Sequence, residues 1–341
     1  MLTEVKGSSK NNRYYRHGRF AIPADSRAAL DFYFRHLFVP HSRREFLLTP
    51  LAGQSSILGK LLFPREADKN GQKEASISPD YWASVLPDRL ARAGINSSGD
   101  LKLLLLGDYA HSARGSSVAF VFDDSAVTPL AVAKIGSRAH RRALKNEFRT
   151  LRTLSRVLPA EMSATVPEAF DLFEDSEFTV LLESALPGSS VHFEMRRGWA
   201  PFKLVEKHFS MAFGWLGDFQ RATLTRKISF RDLLDAEILD CFRRLQKIGG
   251  TSKAEDEFID ETSSKAARFE NEEIPLAMLQ GDFWTRNILV DGEQTSVLDW
   301  EHARAEGCPL EDALLFAISY GRSYAWRFGR EIGRASCRER V

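Results

Sequence analysis

The sequence predicts an α+β protein with a small β-rich lobe, a larger helical lobe after it, and a mostly helical extension in front of both. Three observations predict this class. β-Forming runs are concentrated between residues 101 and 135, helical apolar spacing dominates after residue 202, and the joint Leu186-Pro187-Gly188 separates the two regions. With 341 residues and 43% hydrophobic content, the chain is long enough to form both lobes with a cleft between them.

Composition excludes several functional classes. No apolar run approaches the roughly 18 residues of a membrane span, and the run of leucines at residues 103–106 falls far short of it. The N-terminus is polar and basic and lacks the apolar core of a secretory signal. Three widely spaced cysteines form no disulfide framework or metal cluster, and a net charge of +1 argues against a general nucleic-acid binder. We therefore expect a cytoplasmic protein without a membrane span or a nucleic-acid partner.

The N-terminal extension covers residues 1–98 and carries an excess of basic residues. Three of its segments have the apolar spacing of a helix, namely residues 28–37, 43–51 and 81–93. Ser26 and Ser42 are N-cap candidates for the first two segments, and Gly94 ends the third. Residues 64–79 are polar, contain Gly and Pro, and predict a linker. The basic surface fits either an acidic partner or a solvated face, so the role of the extension stays open.

The β-rich lobe is predicted over residues 99–186. Three runs of β-forming residues predict its strands: 101–106, 118–122 and 130–135; residues 178–183 are a further apolar run before the joint. Residues 141–158 have helical spacing and follow the third strand. Lys134 lies on that strand and Glu147 on the helix. Either residue alone would more often be a solvated surface residue than a functional one.

The helical lobe is predicted over residues 187–331. Three segments predict its helices: 202–222, 230–248 and 256–271. A loop and two short strands follow, at residues 288–290 and 296–299. The Asp291-Gly292 pair between these strands is a strong hairpin signal.

The most informative segment surrounds this hairpin and reads LQGDFWTRNILVDGEQTSVLD. Asp282 lies on the loop before the hairpin, Asn287 follows five residues later, and Asp299 closes the second strand. The hairpin brings Asn287 and Asp299 together at its open end. One Asp to accept a hydroxyl proton, with an Asn and a second Asp offering oxygens to Mg²⁺, are the parts that phosphoryl transfer needs. A single Asp would more often form a turn or an N-cap, so the combined spacing is the specific signal.

The motifs Gln280-Gly281-Asp282, Asn287 and Leu298-Asp299-Trp300-Glu301 resemble the catalytic loop of aminoglycoside phosphotransferases, choline kinases and related small-molecule kinases with the protein-kinase-like fold. Their pattern is roughly HGDxxxxN followed by a strand and (I/L)DWE. The segment from Gly307 to Asp312 resembles the GDPxxD element of that family. The resemblance runs from about residue 101 to residue 330 and is specific only in these motifs. Gln280 stands where the family usually has His.

The resemblance implies a role for each matching residue. Asp282 would be the catalytic Asp, Asn287 and Asp299 would ligate Mg²⁺, and Asp312 would brace the lobe. Lys134 resembles the kinase strand-three Lys that pairs with the α- and β-phosphates of ATP, and Glu147 would orient it. The implied cofactors are ATP and Mg²⁺, and the implied partner is a small molecule that accepts phosphate on a hydroxyl group.

Two further segments complete the implied ATP site. Arg114, Gly115 and Ser116 lie on the loop between the first two strands, where backbone N–H groups and the Arg charge could cradle phosphate. A polar hairpin turn is an equal alternative. Glu183 and Ala185 would form the hinge whose backbone edge binds adenine, and the alternative is a plain interdomain turn.

Two functional hypotheses follow. The first is an ATP-dependent phosphotransferase whose acceptor, whether an aminoglycoside, choline or a sugar, is not readable from the sequence. The second is a nucleotide-binding pseudokinase or scaffold without turnover, supported by Gln280 and the Gly-poor loop. A protein kinase is a weaker reading, because the sequence after Asp299 contains no A-P-E-like element.

The last ten residues, 332–341, read IGRASCRERV. This string is one reading-frame translation of a common short-read sequencing adapter, and that frame meets a stop codon directly after the final Val. We therefore hypothesise that the tail is a library artefact and that the native gene is cut near Glu331. On this hypothesis the helical lobe is incomplete, and residues 332–341 are excluded from fold reasoning.

Overall fold

The structure is a computed structural model in which a β-rich lobe packs against a helical lobe. It describes residues 3–6, 13–17, 19–38, 79–97, 100–107, 116–123, 127–175, 177–197 and 202–327. The predicted α+β class, with the strands concentrated before the joint at residues 186–188 and the helices after it, is confirmed.

One antiparallel sheet of eight strands forms the β-rich lobe, in the order β1-β2-β3-β4-β5-β6-β8-β7. The strands are β1 (Thr3–Lys6), β2 (Arg13–His17), β3 (Phe20–Pro23), β4 (Lys102–Gly107), β5 (Ser116–Phe122), β6 (Ala131–Ser137), β7 (Ala169–Glu174) and β8 (Phe178–Glu183). The three predicted strands correspond to β4, β5 and β6, and the apolar run over residues 178–183 forms β8. β1 to β3 were not predicted, because each has only four or five residues and no sustained alternation of apolar and polar residues.

The N-terminal extension is joined directly to this sheet. β3 pairs with β4, with Phe20 opposite Leu106. Helix α1 (Arg27–Phe32) then begins after Ser26, whose side chain accepts a 3.2 Å hydrogen bond from the backbone N–H of Ala29. It continues into a π-helical turn, Tyr33–Leu37. The predicted helix over residues 28–37 and its N-cap are therefore confirmed.

The two faces of the sheet are covered by different helices, because side chains alternate along each strand. On one face, α1 and its π-helical turn bury Tyr33, Phe34 and Phe38 with Leu104 and Phe122. On the other face, helix α2 (Pro79–Arg92) packs on the residues that alternate with these. The contacting residues of α2 repeat every four positions and are fully buried: Trp82, Leu86 and Leu90. A positive φ of 79° at Gly94 lies just beyond the end of this helix, as predicted.

Helix α3 (Arg141–Val157) follows β6 and packs against strands β6, β7 and β8 of the sheet. It buries four residues at helical spacing: Leu144, Glu147, Leu151 and Leu154. Three of them are apolar, and the fourth is a carboxylate on the same buried face. Helical periodicity therefore turns Glu147 toward the strand that carries Lys134.

The helical lobe is built around an aromatic core in which Trp215 and Phe219 stack at 5.1 Å between ring centroids. Phe283, Trp300 and Phe316 are fully buried in the same cluster. The helices are α4 (Ala160–Ser163), α5 (Val191–Arg197), α6 (Phe202–Ala222), α7 (Phe230–Leu234), α8 (Asp240–Gly249), α9 (Lys253–Ala266) and α10 (Leu310–Arg327). The predicted helix over residues 230–248 is divided into α7 and α8 by a π-helical turn, Asp235–Leu239. A 3₁₀ turn, Ala267–Phe269, follows α9.

Two small antiparallel sheets are embedded among these helices. One contains β10 (Leu224–Ser229), β11 (Glu273–Leu279) and β14 (Arg304–Gly307). The other contains β9 (Ser189–Ser190), β12 (Ile288–Asp291) and β13 (Gln294–Val297). The predicted hairpin around Asp291-Gly292 is confirmed as β12–β13, with Ile288 opposite Val297.

Several predictions lie outside the described residues: the helix over residues 43–51 with Ser42, the linker up to residue 78, and the tail at residues 332–341. The division at residues 98 and 99 stays a prediction, and the sheet continues across it through β3 and β4. Within the part of the chain that the structure describes, no helix is long and apolar enough to cross a membrane.

The packing of α2 on the sheet gives a stability prediction. Leu86→Ala removes a fully buried side chain between helix and sheet, so we expect the free energy of unfolding to fall by about 2–5 kcal/mol. Chemical denaturation followed by circular dichroism measures this. Asp88→Ala, on the exposed side of the same helix, is the control and should change stability by less than about 0.5 kcal/mol. Equal stability of the two variants would show that α2 does not pack on this sheet.

Candidate active site

A buried lysine surrounded by three carboxylates lies where the two lobes meet. The Nζ atom of Lys134, on β6, is 2.5 Å from Glu147 Oε1, 3.3 Å from Asp299 Oδ1 and 3.5 Å from Glu183 Oε1. Only 14% of the Lys134 side chain is exposed, and that of Glu147 is fully buried. The pairing of Lys134 with Glu147 that the sequence predicted is present, and Asp299 joins it from the other lobe.

Helix α3 also positions the segment that follows the hairpin. Glu147 Oε1 accepts a 2.8 Å hydrogen bond from the backbone N–H of Trp300, in addition to its contact with Lys134. Its neighbour Asn146 donates to the backbone carbonyl of Glu301 at 2.8 Å. Because these bonds hold the two residues that directly follow Asp299, α3 helps to fix where the Asp299 carboxylate lies.

The charges of this cluster determine its protonation. Burial alone lowers the pKa of Lys134, but the negative charges of Glu147, Glu183 and Asp299 outweigh burial and raise it well above its usual value. The pKa of Glu183 is raised to about 8 by burial, with the charges of Glu147 and Asp299 adding to the shift and Lys134 opposing it. At neutral pH, Glu183 is therefore mainly protonated, which reduces the excess of negative charge around Lys134.

Gln280 holds the predicted catalytic loop through its side-chain amide. Its Nε2 atom donates to the backbone carbonyls of Leu298 at 3.0 Å and Asp299 at 2.5 Å. Its Oε1 atom accepts from the backbone N–H of Asp282 at 2.8 Å. Gln280 is fully buried, so a side chain that both donates and accepts satisfies each of these backbone groups.

Asp312, at the start of α10, braces the same loop from below. Its carboxylate accepts hydrogen bonds from the backbone N–H groups of Gln280 at 2.8 Å and Gly281 at 3.0 Å. Burial raises the pKa of Asp312, and these two backbone donors act in the opposite direction. This arrangement agrees with the bracing role expected from the sequence.

Asp282 and Asn287 are joined within the loop. Asn287 Nδ2 donates to the carboxylate of Asp282 at 3.0 Å and to its backbone carbonyl at 2.9 Å. The pKa of Asp282 is raised by partial burial and by the charge of Asp299, while the bond from Asn287 and the nearby His302 lower it. Asp282 is therefore a carboxylate held in place and made more basic than usual.

The open end of the hairpin brings Asn287 and Asp299 together, as predicted. The backbone N–H of Leu298 donates to the Asn287 carbonyl at 2.8 Å. Asp299 follows in the left-handed region with a φ of 63°, which is unusual for a residue other than Gly. Such conformations occur where the surrounding structure holds them, often at functional sites.

The donor atoms here fit Mg²⁺. Asp299 offers its carboxylate oxygens. The side-chain amide of Asn287 donates to Asp282 through Nδ2, so its Oδ1 atom is the one that could bind the metal. No group of three or more His, Cys, Asp or Glu side chains able to hold a metal occurs among the described residues. Mg²⁺ usually takes one or two protein carboxylates together with substrate phosphates and water, so two protein ligands are sufficient.

A cleft of about 400 Å³ is lined by Lys134, Asn287 and Asp299 and extends to the joint between the lobes. Ser184, Ala185 and Leu186 line the joint end. The backbone of Glu183 is paired with Val132 on one side and Ala169 on the other, and it is the Glu183 side chain that faces the cleft. Its role in a hinge stays a prediction.

The predicted phosphate loop is described only in part. Ser116 and Ser117 line the cleft, whereas Arg114 and Gly115 lie outside the described residues.

Sequence reasoning missed several residues of the cleft. Arg286 lines it, and its position directly before Asn287 was the available signal. Phe32, His36 and Leu37 of the N-terminal extension also line it. No local pattern in the sequence points to these three, because they are more than 65 residues from the next cleft residue along the chain.

The chain is similar in structure to several solved phosphotransferases. With aminoglycoside phosphotransferase APH(3'')-Id from Streptomyces rimosus it shares 14% identity and a TM-score of 0.42, over 75% of this chain and 93% of that one. With a choline/ethanolamine kinase family protein from Mesorhizobium loti it shares 16% identity and a TM-score of 0.42, over 73% of this chain and 77% of that one. With an aminoglycoside-3'-phosphotransferase of type VIII it shares 13% identity and a TM-score of 0.39, over 75% of this chain and 94% of that one.

These are the kinds of protein that the sequence motifs resemble. The Streptomyces rimosus enzyme has also been solved in complex with ADP and streptomycin. No protein-family model and no curated protein sequence matches the chain. At such identities and TM-scores, function is inferred from the geometry of the site itself.

Gly281 gives a prediction about the loop. Its φ is 81°, and a Cβ atom there would overlap the backbone carbonyl of His302. We expect Gly281→Ala to lower the free energy of unfolding by about 3–5 kcal/mol and to displace the loop. Gly292→Ala is a matched control: φ is 60° but no atom lies within 4 Å, so only the backbone cost of about 1–2 kcal/mol applies. Urea denaturation compares the two variants, and equal losses would contradict the close packing of Gly281.

The raised pKa of Glu183 gives a prediction about pH. Between the ordinary pKa of 4.5 and about 8, the folded state holds a proton that the unfolded state has lost, so stability falls as pH rises. Glu183→Gln cannot lose this proton, and we expect it to be more stable than the wild type at pH 9, on the order of 5 °C in Tm, with little difference near pH 5. Thermal unfolding at intervals from pH 5 to pH 9 measures this.

The control for this experiment is Glu177→Gln, which changes an exposed carboxylate on the same lobe. Its pH profile should run parallel to that of the wild type. A Glu183→Gln profile parallel to the wild type would mean that Glu183 ionises normally in the folded protein.

Proposed function

We propose that the chain is an ATP- and Mg²⁺-dependent phosphotransferase that moves the γ-phosphate of ATP to a hydroxyl group of a small molecule. One observation carries this proposal. Lys134, paired with Glu147, and the loop residues Asn287 and Asp299 come from separate lobes and line one cleft, and Asn287 donates a hydrogen bond to the Asp282 carboxylate. Phosphoryl transfer needs a cation for the phosphates, oxygen ligands for a metal, and a carboxylate near the acceptor.

Lys134 is the proposed partner of the α- and β-phosphates. Its ammonium group is mostly buried, fully charged at neutral pH, and held at one end by Glu147. A buried cation with a fixed position stabilises negative charge more strongly than a solvated one, because little water screens it. In the proposed complex, Lys134 keeps Glu147 and turns from Asp299 toward phosphate, which leaves the Asp299 carboxylate to the metal.

Asp282 is the proposed catalytic base. The hydroxyl oxygen of the acceptor forms a bond to the γ-phosphorus, the bond from that phosphorus to the bridging oxygen breaks, ADP leaves, and the hydroxyl proton goes to the Asp282 carboxylate. Two hydrogen bonds orient Asp282: its carboxylate accepts from Asn287 Nδ2, and its backbone N–H donates to Gln280 Oε1. Its raised pKa makes it a better proton acceptor than an exposed Asp.

Asn287 and Asp299 are the proposed Mg²⁺ ligands. When bound, the ion neutralises charge on the β- and γ-phosphates. The φ of 63° at Asp299 and the tether from Glu147 to the Trp300 N–H hold this carboxylate at the base of the cleft.

Two further segments complete the proposed site. The backbone near Glu183 and Ala185 binds the adenine of ATP, and the loop with Arg114, Gly115 and Ser116 covers its phosphates. The acceptor is a small molecule of the aminoglycoside, choline or sugar type, and the reaction takes place in the cytoplasm. We propose residues 99–186 and 187–331 as the two lobes of this enzyme, with residues 1–98 as an extension.

Asp282→Asn tests the proposal. The variant keeps the size of the side chain but cannot accept a proton, so we expect turnover to fall by about 10²–10⁴-fold while Mg-ATP affinity stays close to that of the wild type. ADP production from ATP and Mg²⁺ is measured with a panel of hydroxyl-bearing acceptors, and EDTA should abolish it. Asp291→Asn, at the exposed turn of the hairpin, is the control and should keep full activity.

Three results would contradict this function. Absence of nucleotide binding by the wild type would reject an ATP site. Full turnover by Asp282→Asn would reject Asp282 as the base. Binding of Mg-ATP by the wild type without turnover on any acceptor would favour the nucleotide-binding scaffold instead.

A further inference from the structure

Among the residues that the structure describes, three of the N-terminal extension line the cleft between the lobes. They are Phe32, at the end of α1, and His36 and Leu37 in the π-helical turn after it. All three are half-buried. The other cleft residues begin at Leu106 and belong to the two lobes. The extension therefore supplies a wall of this cleft, although it lies far away along the chain.

The wall is attached to the sheet by aromatic contacts. The ring of Phe32 lies 5.1 Å from that of Phe120 and 5.6 Å from that of Phe122, between centroids. Phe120 and Val118 are alternate residues of β5, and both line the cleft. Val118 is also paired with Lys134 in the sheet. The extension thus covers the same face of the sheet that Lys134 presents to the cleft.

At its other end, the wall is attached to the joint between the lobes. His36 Nδ1 lies 2.9 Å from Ser189 Oγ, within hydrogen-bond distance. Gly188 and Ser190, on either side of Ser189, line the cleft. Ser189 itself is opposite Val290 of the hairpin that carries the Mg²⁺-ligand candidates. The π-helical turn therefore spans from the sheet of one lobe to a strand of the other.

The residues of α1 and its π-helical turn face two ways: some pack on the sheet, and others border the cleft. Tyr33, Phe34 and Phe38 are at most 2% exposed and pack inside the cluster that anchors the turn to the sheet. Phe32 and Leu37 are apolar and yet half-buried, and they border a concave space. Apolar side chains in this position complete their burial when a ligand with a flat apolar surface fills the space, as in most ligand pockets.

The position along the cleft indicates which part of a ligand meets this wall. Lys134 and Asp299 mark the end where phosphates are held in the proposed function. His36 lies beside the Gly188–Ser190 segment of the joint, and Ser189 pairs with Val290, three residues after Asn287. We propose that Phe32, His36 and Leu37 are nucleotide-binding residues that enclose the base and ribose, which makes the N-terminal extension part of the catalytic unit. This inference rests on the proposed function.

Nucleotide affinity gives the first test. We expect His36→Ala and Leu37→Ala to weaken Mg-ADP binding by about 5- to 20-fold, measured by calorimetry, because each loses contact with the base or ribose. Arg27→Ala, on the exposed side of α1, is the matched control and should bind like the wild type. Circular dichroism and thermal unfolding establish that each variant is folded.

Protection from a thiol reagent gives the second test, which does not depend on a change in affinity. In Leu37→Cys, Mg-ADP should slow alkylation of the new thiol by iodoacetamide at least about 5-fold, followed by mass spectrometry of the peptide. In Arg27→Cys, the alkylation rate should be the same with and without nucleotide.

The outcomes distinguish this inference from the function on which it rests. A wild type that binds no Mg-ADP overturns both. A wild type that binds Mg-ADP, with His36→Ala and Leu37→Ala of unchanged affinity, overturns the inference alone, and so does equal alkylation of Leu37→Cys with and without Mg-ADP. Loss of affinity in both variants together with protection of residue 37 supports it.

Discussion

The ion cluster around Lys134 is the constraint on which the arrangement of the cleft depends. A buried ammonium group is stable only when it is paired, and its partners come from three places in the chain: helix α3, the end of β8, and the segment after β13. Glu147 binds both the lysine and the Trp300 N–H, so one carboxylate joins the two lobes. The cluster also leaves one buried oxygen of Glu147 and one of Glu183 without a hydrogen-bond partner in the structure.

In the predicted catalytic loop, side chains pair with backbone groups that would otherwise lack hydrogen-bond partners. The family that the motifs resemble usually has His at the position of Gln280. In this chain the amide satisfies three backbone groups: the carbonyls of Leu298 and Asp299 and the N–H of Asp282. Asp312 satisfies two more N–H groups from below. Because every bond goes to backbone, the loop geometry depends on the length and polarity of these two side chains. With Gln in place of His, these five backbone groups of the loop are still hydrogen-bonded.

The N-terminal extension changes how the whole molecule is divided. A two-lobed enzyme opens and closes about the joint between its lobes. Here α1 packs on the sheet of one lobe while His36 contacts Ser189 on the strand that pairs with the hairpin of the other. The π-helical turn therefore contacts both lobes. The extension and the cleft are coupled by contact, and the basic surface of the extension is not needed to explain its presence.

The sequence by itself determined the elements whose signals are local. Apolar periodicity defined α1, α2, α3 and α6, the Asp291-Gly292 pair defined the hairpin, and the spacing of Asp282, Asn287 and Asp299 identified the loop, because each pattern depends on neighbours within about 20 residues. Only the tertiary structure decided what lies opposite these elements. Short strands such as β3, the buried side chain of Glu183 and the contact of His36 with Ser189 depend on partners far away in the chain. Their residues carry no pattern of their own, since a four-residue strand or a single histidine is stabilised by what it packs against and not by its own sequence.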